Sequence, residues 1–167
     1  MTRRERASSM KLSTEEQNRL QQILRHYVSD DRVQEMKRYI QHGNITTYEH
    51  CSNVARHCYW LNRRLHLRAD ERVLVVGALL HDFYLYDWHV DEQDQHHLHG
   101  FSHPETACRN AVKYFHAERA VQEIILTHMW PLTLRRFPKS REAAIVCLMD
   151  KYCALWETIR RSNRMAG

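Results

Sequence analysis

The sequence predicts an all-α protein, a single-domain bundle of about seven helices. Three observations carry this expectation. The chain has 167 residues, which suits one domain with a core and is short for two. It contains only four glycines and three prolines, too few for the many turns of a sandwich or barrel. Three Ser/Thr-x-x-Glu capping boxes each precede apolar residues at helical spacing: Ser13–Glu16, Thr46–Glu49 and Ser102–Glu105.

Residues 1–12 are expected to be flexible and residues 13–165 to form the domain. The first helix runs from the Ser13 box to about Tyr27, with Leu20, Ile23, Leu24 and Tyr27 as its stripe. Asp30 and Asp31 cap a second helix, Arg32 to Gln41, which His42-Gly43-Asn44 ends. The third opens at the Thr46 box and continues to about Leu65, its stripe being Cys51, Val54, Ala55, Cys58, Leu61 and Leu65. The fourth, Asp70 to about Phe83, carries the run Val73–Leu80. A helix apolar nearly all round is a buried central helix, although periodicity leaves a strand open for this run. From Leu85 to Gly100 the chain is polar and aperiodic, a long loop of the kind that serves as a functional lid. A fifth helix starts at the Ser102 box and ends at Phe115. The sixth spans Glu118 to about His128, stopping before Pro131. The seventh, about Arg141 to Arg161, is almost continuously apolar between Ala143 and Trp156. No internal repeat or low-complexity tract interrupts the series.

Composition narrows the function classes. No apolar run is long enough to span a membrane, and no apolar stretch follows the basic MTRRERASSM start, which argues against a secretory signal. Five cysteines at irregular spacing read as reduced thiols in a cytoplasm. A net charge of +5 permits nucleic-acid or phosphate-bearing partners without selecting one. Thirteen histidines are the better clue, since imidazole is the commonest metal-binding side chain.

The informative residues are ionisable groups set inside apolar helical stretches. Asp150 follows Ala143–Met149, and an unpaired buried carboxylate costs several kcal/mol, so it needs a cationic partner or a metal. His81 and Asp82 end the buried fourth helix, and His128 closes Ile124-Ile125-Leu126-Thr127. His50 lies one turn into the third helix beside its apolar stripe. His103 stands at the first position of a capped helix. Each alone is more often a packed, hydrogen-bonded core residue. Five helix positions that each bring a hard or borderline ligand to the inner face are economically satisfied by one buried centre. Imidazoles with carboxylates suit iron, manganese or zinc, whereas an oxygen-only set would suit calcium or magnesium.

The order His50, His81-Asp82, Asp150, with Leu79-Leu80 before the pair, resembles the HD-domain superfamily of metal-dependent phosphohydrolases over roughly residues 40–160. His103 and His128 look like the two additional histidines of its dinuclear branches. Two departures are plain. Phe83-Tyr84-Leu85-Tyr86-Asp87-Trp88 follows the pair without the lysine of many dinuclear members, and the His-Gly-Tyr-Pro signature of the cyclic-di-GMP branch is absent. The resemblance implies an HD-type helical bundle holding two divalent ions, iron or manganese, with zinc or magnesium as alternatives. One ion would sit on His50, His81, Asp82 and Asp150, and Asp82, as catalytic bridge, would reach a second on His103 and His128. It implies hydrolysis of a nucleotide or other small phosphate ester or anhydride by a hydroxide shared between the ions. Lys151, Trp130 and His99 are candidate substrate contacts; for each the plainer alternative is surface charge, packing or a solvated loop. Further candidates, each weighed against a surface or packing role, are His57, Trp88, Arg135, Arg136 and Lys139. The expected partner is a small phosphorylated substrate, with no membrane and no nucleic acid. The alternative is a catalytically silent HD-fold ligand sensor or nucleic-acid-binding module.

Overall fold

In the computed structural model the backbone is described for residues 10–42, 44–85 and 99–165, and side chains for 10–41, 44–85 and 103–159. The first nine residues, most of the segment expected to be flexible, and residues 86–98, the bulk of the expected lid, lie outside them. Leu12 is already part of the core.

Helix α1 (Thr14–Val28) starts where the capping box places it. Ser13 Oγ accepts the Glu16 amide at 3.2 Å, and Glu16 Oε2 accepts the Ser13 amide at 2.8 Å. Asp30 caps α2 (Asp31–Glu35) by accepting the Arg32 amide at 2.9 Å. Here the expected helix to Gln41 is corrected. Helical hydrogen bonding tightens into a single 3-10 turn at Met36–Arg38 and stops, and the chain goes on as strand β1 (Ile40–His42). Val33 and Met36 are fully buried and anchor the short helix, while Tyr39 is extended and Ile40 is β-branched, both at ease in a strand. A short two-stranded ribbon comes with it, since β1 pairs antiparallel with β2 (Ile45–Thr46).

The hairpin delivers the chain to α3 (Thr47–Arg64), whose Thr46–Glu49 box forms as read. Its inner face buries His50, Cys51, Val54, Ala55, Cys58 and Tyr59. Asn62 then clasps Ala69 from both sides, donating to its carbonyl at 3.2 Å and accepting its amide at 3.0 Å. That clasp turns the chain into α4 (Glu71–Leu80), capped by Asp70. Leu74 to Leu80 are all buried, so the alternative of a strand gives way to a central helix. Helix α4 packs on α1, α3, α6 and α7. Gly77 permits the close approach to α6: a Cβ there would collide with the Ile124 side chain.

Helix α5 (His99–Phe115) begins three residues before the Ser102 box, so Ser102 is not a cap and His103 is inside the helix. Pro104 forgoes a backbone bond only to the Gly100 carbonyl, one residue from the helix start, so the added turn survives it. Helices α6 (Arg119–Thr127) and α7 (Arg141–Met165) complete the bundle. Seven α-helices and one two-stranded ribbon are thus present among the described residues, an all-α architecture. All five cysteines are free and buried. No helix among the described residues is long and apolar enough to cross a membrane.

Candidate metal centre

Six ionisable side chains from five helical segments meet in the interior: His50, His81, Asp82, His103, His128 and Asp150, none more than 9% exposed. One local device serves two of them. Helices α4 and α6 both end on a histidine whose ring folds back over the last turn. His81 Nδ1 donates to the Ala78 carbonyl at 2.7 Å, and His128 Nδ1 donates to the Ile125 carbonyl at 2.7 Å. Each imidazole thereby satisfies a C-terminal carbonyl that the helix leaves open, and aims Nε2 away from the helix. His50 is fixed likewise by an acid, its Nδ1 donating to Glu157 Oε2 at 2.8 Å.

With Nδ1 protonated in all three rings, a neutral imidazole presents only a lone pair at Nε2. Yet these atoms face oxygen. His50 Nε2 lies 3.0 Å from Asp150 Oδ1, and His81 Nε2 lies 3.6 Å from that oxygen and 3.3 Å from Asp82 Oδ2. On the other side of Asp82, Oδ1 is 3.1 Å from His103 Nε2 and 3.4 Å from His128 Nε2, and those two nitrogens are 3.0 Å apart. Lone pairs at such distances repel unless a proton or a metal cation lies between them.

The electrostatics follow. Burial opposes charge on His50, but hydrogen bonds to Asp150 and Glu157 prevail and raise its pKa to about 10. His81 is likewise disfavoured by burial and raised overall by Asp82 and Asp150. Burial would raise both aspartates, yet the histidines hold Asp82 and Asp150 well below the usual carboxylate range. His128 goes the other way, lowered chiefly by burial, so its Nε2 lone pair is available as a donor. Two carboxylates in a buried pocket are thus kept ionised, as cation ligands must be.

The residues fit a divalent metal site. Donor atoms of His50, His81 and Asp150 lie within 4.8 Å of one another, and so do those of Asp82, His103 and His128. His81 Nε2 and Asp82 Oδ1 have no hydrogen bond among the described residues, although both are buried. Nitrogen and carboxylate oxygen donors with buried atoms left without a hydrogen bond are what a divalent metal ion would satisfy.

The remaining candidates fall elsewhere. Lys151 stands at the rim, half-exposed, its Nζ 3.8 Å from Asp150 Oδ2 and donating to the His128 carbonyl at 2.7 Å. The Trp130 ring packs edge-on to Phe137 at 5.3 Å, and its carbonyl accepts from Cys147 Sγ at 3.1 Å, both packing contacts. His99 heads α5, and its side chain lies outside the described residues, as do those of Trp88, His89, His96 and His97. His57 Nδ1 donates to the Asn53 carbonyl at 2.7 Å, a structural bond within α3. Sequence reasoning passed over three neighbours of the centre. Glu157 follows Asp150 by seven residues, two helical turns on the same face, and that spacing was its signal. Cys51 brings a thiol within 4.8 Å of donor atoms of His81 and Asp82. Gln41 donates to Asp82 Oδ2 at 2.6 Å from a strand read as the end of a helix.

A family model, HD domain, matches residues 47–155, from the first residue of α3 into the middle of α7. The match covers more than half of the chain, and the chain belongs to the HD domain family. Comparison with curated proteins and comparison with solved structures each gave no match.

Proposed function

We propose that the protein is a metal-dependent phosphohydrolase acting on a nucleotide or another small phosphate ester or anhydride. The observation that supports this most is the arrangement of imidazole lone pairs against ionised carboxylates in a buried pocket, which only cations or additional protons reconcile. In this reading His50, His81, Asp82 and Asp150 hold one divalent ion and Asp82, His103 and His128 a second, with iron or manganese as the expected metals. When bound, such a pair lowers the pKa of water and offsets the negative charge that builds on phosphoryl oxygens.

The chain's own residues set up that chemistry. Glu157, Ala78 and Ile125 each accept an Nδ1 proton and so commit His50, His81 and His128 to ligation through Nε2. Asp82 turns Oδ2 to His81 and Oδ1 to His103 and His128, and so is the residue both halves share. Lys151, anchored on the His128 carbonyl at the rim, supplies a cation for a substrate phosphate. The partner is a small phosphorylated molecule and the compartment the cytoplasm. Substitution Asp82→Ala is expected to abolish metal loading and phosphate release together, measured by elemental analysis and by a phosphate-release assay over a panel of nucleotides. Full activity in that variant would remove the site assignment.

A further inference from the structure

Strand β1 pairs with β2 out of step. Ile40 lies opposite Thr46, but His42 lies opposite Ile45, so Gln41 is the extra residue of a β-bulge. A bulge re-aims one side chain relative to the regular ladder. Here the side chain is 9% exposed and turned onto the centre, where Nε2 donates to Asp82 Oδ2 at 2.6 Å.

The amide has no freedom to turn round. Its Oε1 accepts the Tyr84 hydroxyl, and the Thr47 hydroxyl lies 3.2 Å from the same oxygen. Thr47 and Tyr84 are themselves almost fully buried. With two hydroxyls on the oxygen, the NH2 group must face Asp82, whose carboxylate can only accept. The consequence falls on the other carboxylate oxygen. While Oδ2 is held beside His81, Oδ1 is left 3.1 and 3.4 Å from the Nε2 atoms of His103 and His128. A rotation of the carboxylate would undo that division.

We propose that Gln41 is the positioning residue for Asp82: from the β1 bulge it clamps one carboxylate oxygen and so turns the other toward His103 and His128. The inference rests on the reading of this cluster as a metal centre. Its test is Mn2+ binding by the metal-stripped protein, followed by isothermal titration calorimetry, in the wild type, Gln41→Met and Tyr84→Phe. Met keeps the length of Gln41 and removes both its donor and its acceptor. Gln41→Met is expected to lose roughly 10–100-fold in Mn2+ affinity, the usual effect of removing the partner that orients a ligand. Its metal-free circular dichroism and melting temperature should stay close to wild type. Tyr84→Phe keeps the clamp and removes one of the two donors that hold Oε1, leaving Thr47, and should weaken binding in the same direction by less. A folded Gln41→Met protein with wild-type affinity overturns the proposal. If Gln41→Met does not fold, the double variant Thr47→Val/Tyr84→Phe, which strips both donors from Oε1, decides, and wild-type affinity there overturns it. Wild-type protein that binds no divalent ion overturns the metal centre itself, an outcome distinct from a wild type that binds with variants that bind equally well.

Discussion

His50 carries a carboxylate on each ring nitrogen, Glu157 on Nδ1 at 2.8 Å and Asp150 on Nε2 at 3.0 Å. The first fixes the tautomer and raises the basicity of the ring, and the second lies where a shared ligand would. Removing the outer carboxylate leaves the inner geometry in place but unsupported. Glu157→Ala is therefore expected to weaken metal binding roughly 10–100-fold with little loss of helix content, measured by Mn2+ titration beside circular dichroism. The six central residues were legible in the sequence because each is an ionisable group in an apolar setting, where an unpaired charge is costly. Glu157 and Gln41 were not. Glu157 sits where α7 turns polar toward its end, among residues that suggest solvent, and only its seven-residue spacing from Asp150 sets it apart. Gln41 comes directly after Val33, Met36 and Ile40, whose spacing of three and four suits a helix, and a bulge leaves no periodic trace. His103 and His128 were readable as residues, but their meeting at 3.0 Å depends on how α5 and α6 pack.

At the scale of elements, local chemistry and tertiary packing divide the outcome. Helices α1, α3 and α4 start where their caps stand, because a side-chain oxygen accepting the amide two or three residues on is a local interaction. Helix α2 is cut short and α5 lengthened, because there the neighbours decide: β2 offers β1 a partner, and α6 packs against α5. The contact of α4 with α6 is set by the absence of a side chain. A methyl at residue 77 would overlap Ile124 at Cδ1, with Cγ2 only 2.9 Å away. Overpacking of this kind costs about 1–3 kcal/mol, against which alanine recovers up to about 1 kcal/mol of helix propensity. Gly77→Ala is thus expected to be net destabilising by about 1–2 kcal/mol in urea unfolding. Ile124→Val, which deletes the Cδ1 in the way, should recover part of the loss when combined with it. A Gly77→Ala protein more stable than wild type would show that α4 and α6 separate freely.

At the scale of the whole molecule, the centre ties together α3, the ends of α4 and α6, α5 and α7. A ligand that binds only the folded chain stabilises it by mass action, about 2.7 kcal/mol at a free concentration a hundredfold above Kd. For a chain of this length that is a rise in melting temperature of roughly 5–11 °C per site. Chelation should lower the melting temperature by this order and Mn2+ should restore it, as read by differential scanning calorimetry. The same treatment of Asp82→Ala should leave its melting temperature unmoved. The all-α class was plain from few glycines, few prolines and strong caps. The hairpin was hidden because two short strands carry too little pattern to outweigh a helical reading.

The span of the innermost pair has one more consequence. His50 meets Asp150 across 100 positions of chain and Glu157 across 107. Synthesis runs from the N-terminus, so a growing polypeptide holds α3 and α4 long before α7 leaves the ribosome. During that interval His50 and His81 have no Asp150 to face, and the central helix lacks one of its walls. The His50 side of the centre can therefore close only once α7 has been made, and a chain released before residue 150 could not complete it.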